Sequence, residues 1–234
     1  MFPYCSTIYF ITALVGFAIS LKLFLVWRQK KDENIGYIFK AIAIATIFYL
    51  LSSLPGIFVK NYFLISLFYL LAWIPHYLSI FYLTKLSFNF WNLKKAKSIL
   101  LAVFIFLIIF VTFFNIVYFS NPTIKRYKDL TFCFASSPSW VLNFSGMVTF
   151  LFLLANSILF LRGGIMSREK FTRVRGLTIG VGLFLITLAA LFNYIIAPYW
   201  QDTKIFLFFA GPLLLLGVLM VYFGVQHKRK ENIG

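Results

Sequence analysis

The stretch SILLAVFIFLIIFVTFFNIVYF, residues 98–119, runs for 22 residues without a charge, and Asn115 is its one amide. A bilayer's hydrocarbon core is about 30 Å thick and is crossed by about 20 residues of α-helix. The run is continuously apolar rather than alternating, which excludes a barrel strand. It therefore predicts a membrane-crossing helix. Working outward, six further runs have the same character: residues 4–27, 37–59, 62–84, 139–161, 176–199 and 204–225. The expected fold class is an all-α, polytopic seven-helix bundle over residues 1–225, followed by a basic tail, 226–234.

Composition agrees. The chain of 234 residues is 62% hydrophobic, 21% aromatic and 12% charged, with a mean hydropathy of +0.91. A water-soluble domain could not cover that much apolar side chain, and disorder is excluded for the same reason. The first run lacks a basic leader and a small-residue cleavage site, so it reads as a retained anchor. The connections are short. Lys60 and Asn61 alone join the second and third runs, while residues 120–138 form the longest link, read as a loop.

The net charge of +16 is informative through its distribution. With the N-terminus outside, the inner connections and tail receive seventeen of the 22 lysines and arginines, and the outer side keeps Lys60, Lys125, Arg126, Lys128 and Lys204. That asymmetry orients the bundle with its C-terminus inside. Lys22 and Lys40 lie within their runs and can snorkel to the headgroups. The basic face is expected to meet anionic lipid headgroups. No connection is long enough for a nucleic-acid reading module. Single cysteines placed at Lys128 and Lys170 should label from opposite sides of the membrane. Labelling of both from one side would sink this orientation.

The chemistry within the runs is sparse. Asp32, Glu33, Asp129, Glu169, Asp202 and Glu231 are the acids, and all lie outside the apolar runs. Ion-coupled transporters usually carry an intramembrane carboxylate. Lys204 sits at the mouth of the last run, so a retinal Schiff base is not expected. The histidines are His76 and His227, and no pair of His, Cys or carboxylate residues has metal-ligand spacing. No Gly-rich phosphate loop or nucleophile elbow is present, and Gly163-Gly164 reads as a helix terminator. Neither catalysis nor a cofactor is expected. Cys5 and Cys133 both fall on the outer, oxidising side. One outcome there is a disulfide tying the long link to the first helix. The other is two free thiols.

Polar residues inside the runs are the better clue. Ser52, Ser53, Asn115, Asn143, Ser145 and Asn193 lie at similar outer depth on four different runs, with Asn156 towards the inner side. Polar groups facing lipid are costly, so each should turn inward. Either they bond helix to helix, worth about 0.6 kcal/mol on average, or they line an outward-opening cavity. The cavity reading takes Asn115, Asn143, Asn193, Ser52, Ser53 and His76 as ligand-binding residues. Trp140 or Trp200 would cap it, and the 31 Phe and 13 Tyr supply its walls. Pro55, Pro75 and Pro212 mark bends. His76 follows Pro75 and should face the bundle and find a partner there, for which the carbonyl freed near Leu71 is one candidate.

The order of features resembles the seven-helix N-terminal sensor region of bacterial histidine kinases and related diguanylate-cyclase sensors. Three segments carry the resemblance: Trp73-Ile74-Pro75-His76-Tyr77-Leu78, the Arg173-Val174-Arg175 lead into Gly176-Leu177-Thr178-Ile179-Gly180, and Tyr222-Phe223-Gly224-Val225 running into basic residues. The resemblance implies a receptor-like sensory module of a prokaryotic cytoplasmic membrane. Nine residues follow Val225, so no kinase or cyclase output is expected in this chain. A separate cytoplasmic or membrane protein would read the signal. Two other functions fit the same spans. A small-solute transporter or channel subunit would use kinked helices and midplane polar groups. An assembly subunit would use Gly146, Ala155, Gly180, Gly182 and Gly217 for close packing.

Overall fold

The computed structural model describes residues 2–56, 61–91, 96–119, 123–127, 130–135, 139–196 and 204–226. Its helices are α1 (Tyr4–Lys30), α2 (Glu33–Ser53), α3 (Tyr62–Phe90), α4 (Ala96–Val117), α5 (Ser139–Met166), α6 (Lys170–Ala190) and α7 (Lys204–Gln226). A 3-10 turn, Leu54–Gly56, continues α2, and a π-turn, Leu191–Ile196, continues α6. Seven helices among the described residues are long and apolar enough to cross a membrane. The chain is a multi-pass membrane protein.

Several helices run past their apolar stretches into basic residues. Lysine and arginine are good helix formers whose stems cover apolar surface while the charge reaches water. Lys31 and Asp32 are all that separate α1 from α2, and Lys31 takes a left-handed φ of 50° to make the turn. Asp32 then caps α2, its carboxylate accepting from the amides of Asn34 at 2.8 Å and Ile35 at 3.1 Å. Asn61 caps α3 through the Leu64 amide at 3.1 Å. Gly163-Gly164 does not end α5, contrary to the sequence reading. Both lie inside it, and a Cβ on Gly164 would fall 2.7 Å from the Leu177 nitrogen of α6. The pair permits close helix contact rather than termination. The connection closes at Ser167, where Arg173 Nε donates to the Ser167 carbonyl at 3.2 Å.

The long link is not all loop. β1 (Phe2–Pro3), β2 (Thr123–Tyr127) and β3 (Leu130–Ala135) form a small sheet of order β1-β3-β2. β2 and β3 pair antiparallel, and β1 lies parallel to β3. The segments TIKRY and LTFCFA are rich in β-branched and aromatic residues, the composition that favours strands. The sheet joins the start of α1 to the α4–α5 link. Cys5, at the first turn of α1, is disulfide-bonded, and Cys133 is the other cysteine of the sequence.

The helices form a ring in which α1 packs on α2 and α7, α2 on α3, α3 on α5, α5 on α6 and α6 on α7. The fourth helix lies outside the ring, against α3 and more lightly α5. It buries one stripe, Leu100, Phe104, Leu107 and Val111, at helical spacing. That stripe packs on Trp73, Tyr77, Ile80 and Phe81 of α3 and Val141 of α5. Its opposite face, with Phe106 and Ile109, is exposed as a lipid-facing surface should be. Towards the basic end of the ring, Ile19, Leu23, Ile38, Leu86, Phe160, Ile179, Leu183 and Val221 form one core.

Small residues set the closest approaches. Gly182 of α6 and Gly217 of α7 face each other backbone to backbone, as Gly164 and Gly176 do between α5 and α6. Gly146 of α5 lies against Tyr194 of the π-turn, and Gly180 against Leu161. Ala155, expected to join this set, is exposed.

Candidate functional site

A cavity of about 130 Å³ lies inside the ring, above the core at its basic end. Six helices wall it: every one except α4. Its lining is mainly aliphatic and aromatic, with polar groups from Tyr9, Thr12, Thr46, Tyr49, His76, Ser79, Thr149, Asn193 and Tyr194. Among the described residues the lining includes no carboxylate, ammonium or guanidinium.

Two local departures from regular helix lead into this cavity. The first is Pro75, buried within α3, which removes one backbone donor just before His76. His76 faces the bundle and finds a partner there, which is a hydroxyl of another helix rather than the candidate carbonyl near Leu71. Its Nε2 is hydrogen-bonded to Thr149 Oγ1 of α5 at 2.8 Å, and both residues are buried. An interhelical hydroxyl competes well because α3 and α5 touch directly, with α4 displaced outward. Aromatic rings surround the imidazole: Phe48 at 4.6 Å, Trp73 and Tyr77 at 5.5 Å and Tyr194 at 6.2 Å between centroids.

The second departure is the π-turn. Such turns are rare, appear as single widened turns in α-helices, and are frequent at functional sites. Here it brings Asn193 and Tyr194 to the cavity. Gly146 makes room, since a Cβ there would collide with that of Tyr194. On the facing wall Tyr9 of α1 and Tyr49 of α2 stack, with centroids 6.1 Å apart and planes 27° apart.

The hydroxyls divide into two groups. Thr12 donates to the Ile8 carbonyl and Thr46 to the Ile42 carbonyl, each at 2.8 Å, and Ser79 donates to Ala41 at 2.9 Å. These satisfy themselves on backbone, as Ser and Thr commonly do in helices. The phenol oxygens of Tyr9, Tyr49 and Tyr194 and the amide of Asn193 make no hydrogen bond among the described residues.

Of the residues singled out in the sequence, His76 and Asn193 line this cavity. The others are not among its lining. Asn115 is buried on α4, outside the ring, where its Nδ2 donates to the Val111 carbonyl at 2.7 Å. Asn143 is half-buried on α5. Ser52 and Ser53 are buried near the end of α2, with Ser53 donating to the Leu50 carbonyl at 2.7 Å. Trp140 is 43% exposed and packs edge-on against Phe114 and Tyr118, an interfacial position. Trp200 and Lys128 lie outside the described residues. Sequence reasoning missed Tyr9, Tyr49, Tyr194 and Thr149. Tyrosine deep in an apolar run was the available signal, because phenylalanine packs as well there without an oxygen to satisfy.

A second polar cluster lies nearer the basic end. Asn156 of α5 donates to Thr84 Oγ1 of α3 at 2.9 Å and accepts from Ser87 Oγ at 2.5 Å. Ser157 donates to the Gly180 carbonyl of α6 at 2.9 Å. Beyond it, cations sit over aromatic rings: Lys85 over Tyr37 at 4.9 Å, Arg162 over Trp91 at 5.2 Å and Lys40 over Tyr82 at 5.5 Å. Lys22 of α1 donates to the Tyr222 hydroxyl of α7 at 3.0 Å. Tyr37 also donates to Glu33. Among the described residues no three His, Cys, Asp or Glu side chains converge as metal ligands would. No family model, no curated protein and no solved structure matches this chain.

Proposed function

We propose that this chain is a receptor-like sensory module. A small molecule or membrane cue acts at the central cavity, and a separate signalling protein reads the basic face. One observation carries the reading: a single cavity is walled by six helices, and those helices lead directly to the basic end. Any occupant therefore touches most of the bundle at once. An occupant shifts the bundle only if it binds two packings with different affinity. Pro75 and Pro212, each inside a helix, reduce the cost of such a repacking. The orientation with the basic end in the cytoplasm belongs to the same proposal, as does contact of Arg28, Lys30, Arg168 and Lys170 with anionic headgroups.

A filled cavity should be felt at a distance. Ala45→Leu adds volume to the lining from α2. Hydrogen exchange in the variant should change at the Ser167 turn and along the last turns of α3. A change confined to the neighbours of Ala45 would overturn the sensory reading.

The proposal includes a bond between Cys5 and Cys133. Parallel pairing of Phe2 with Leu130 and Pro3 with Thr131 holds the start of α1 against β3, the strand that carries Cys133. Denatured, unreduced protein should take up no alkylating reagent, and reduced protein should take up two equivalents. Two equivalents without reductant would exclude the bond.

A further inference from the structure

The cavity's chemistry narrows what it accepts, an inference that rests on the proposed ligand site. We infer that it takes a neutral aromatic molecule of one or two rings bearing a hydrogen-bonding oxygen or nitrogen. The Tyr9–Tyr49 stack and the Asn193–Tyr194 π-turn would hold it.

Size sets the first limit. About 130 Å³ is close to the ~150 Å³ apolar cavities that admit benzene. A peptide is too large, and a lipid tail could place no more than its end here. Charge sets the second limit. An ion brought here would lose its hydration and find no opposite charge among the lining residues, so binding of anions and cations is opposed. The imidazole of His76 offers little alternative, being held by Thr149 at 2.8 Å.

Shape and polarity set the third. Tyr9 and Tyr49 stack on each other in the lining, and Phe48 and Tyr194 add further ring surface. Flat, rigid ligands suit such walls, because aromatic faces stack with favourable offset geometry. Among these rings stand three phenol oxygens and an amide that no described residue engages. A phenol both donates and accepts, and an amide does the same. Either a ligand N–H or a ligand oxygen therefore finds a partner. A plain hydrocarbon ring leaves these groups unpaired and should bind at least tenfold more weakly.

The test uses the full chain in lipid nanodiscs, with thermal unfolding as the readout. The probes are p-cresol and indole, their apolar counterparts toluene and indene, and the charged rings benzoate and benzylammonium. The expected result is a saturable rise in melting temperature with p-cresol or indole and at least tenfold weaker action of toluene and indene. The charged rings should have no effect. Asn193→Leu should weaken p-cresol about tenfold and leave toluene unchanged. Ala45→Leu should abolish the response, with Leu214→Phe as the second filling variant if the first does not fold. Equal action of toluene and p-cresol would overturn the inference. So would saturable binding of benzoate, a response surviving in the filled variants, or no response to any neutral ring. The two readings fail separately. If no ring binds but the filled variant still alters exchange at the basic end, the ligand class is wrong and the sensory reading stands. If rings bind and the basic end stays silent, the reverse holds.

Discussion

Replacing Gly182 with leucine is expected to force α6 away from α7 and to destabilise the bundle by about 3 kcal/mol or more. The geometry leaves no softer response. A Cβ at Gly182 would lie 2.7 Å from the Gly217 carbonyl oxygen and 2.8 Å from the Val221 nitrogen, both backbone atoms. The contact is reciprocal, since a Cβ at Gly217 would lie 2.6 Å from the Gly182 oxygen. A flexible side chain could rotate aside, but a helix backbone cannot move without carrying its neighbours. Separating the helices forfeits packing along their whole contact, and packing is the main attraction between helices in lipid. Alanine at Gly182 already meets the same atoms and should also destabilise. Gly163 supplies the control. A Cβ there meets nothing within 4 Å, and the residue sits inside α5. Gly163→Ala should stabilise by about 0.5–1 kcal/mol, because alanine loses less backbone freedom in a helix. The same substitution thus has opposite signs at the two glycines, measurable by unfolding in mixed micelles. Equal effects at Gly182 and Gly163 would show that α6 and α7 are not packed this closely.

The seven helices were legible because hydrophobic length alone marks a membrane span. What that signal lacks is azimuth. Asn115, Asn143 and Asn193 share a depth, and depth suggested convergence. Yet α3 and α5 meet directly and push α4, with Asn115, outside the ring. In a helix apolar on every side, no polar stripe says which face turns inward. His76 and Asn193 could be chosen as candidates because they are rare groups in apolar runs. Tyr9, Tyr49 and Tyr194 were hidden among the chain's 13 tyrosines, most of which also suit an interface or a core. The π-turn had no sequence mark, since LFNYII continues α6 without a proline or glycine. Gly163-Gly164 misled for a related reason. In isolation such a pair favours an end, whereas here the missing side chain of Gly164 lets α6 pack directly on α5, a contact the sequence does not display.

Asn156 yields the last expectation, in which a small change of chemistry outweighs a larger change of shape. Its side chain joins α5 to α3 through Thr84 and Ser87, and its Nδ2 also donates to the Phe152 carbonyl at 2.7 Å. Asn156→Leu removes all three bonds. Little on α3 is orphaned, however, because Thr84 still donates to the Ile80 carbonyl at 2.9 Å and Ser87 to Leu83 at 3.3 Å. The expected cost is therefore about 1 kcal/mol, two interhelical bonds at about 0.6 kcal/mol each. Asn156→Asp keeps the volume yet does worse. A carboxylate has no N–H for Thr84 or the Phe152 carbonyl, and it brings a charge to a residue only 1% exposed. Insertion of an acid at such depth costs about 2.5–3.5 kcal/mol. The aspartate variant should thus unfold well before the leucine variant, and a leucine variant equal to or worse than aspartate would refute the network. The leucine variant has a second use. If the α3–α5 tie transmits the state of the cavity, Asn156→Leu should leave p-cresol stabilisation intact. It should then remove the exchange response at the Ser167 turn that filling at Ala45 produces. Loss of p-cresol stabilisation along with that response would assign Asn156 to the shape of the site instead.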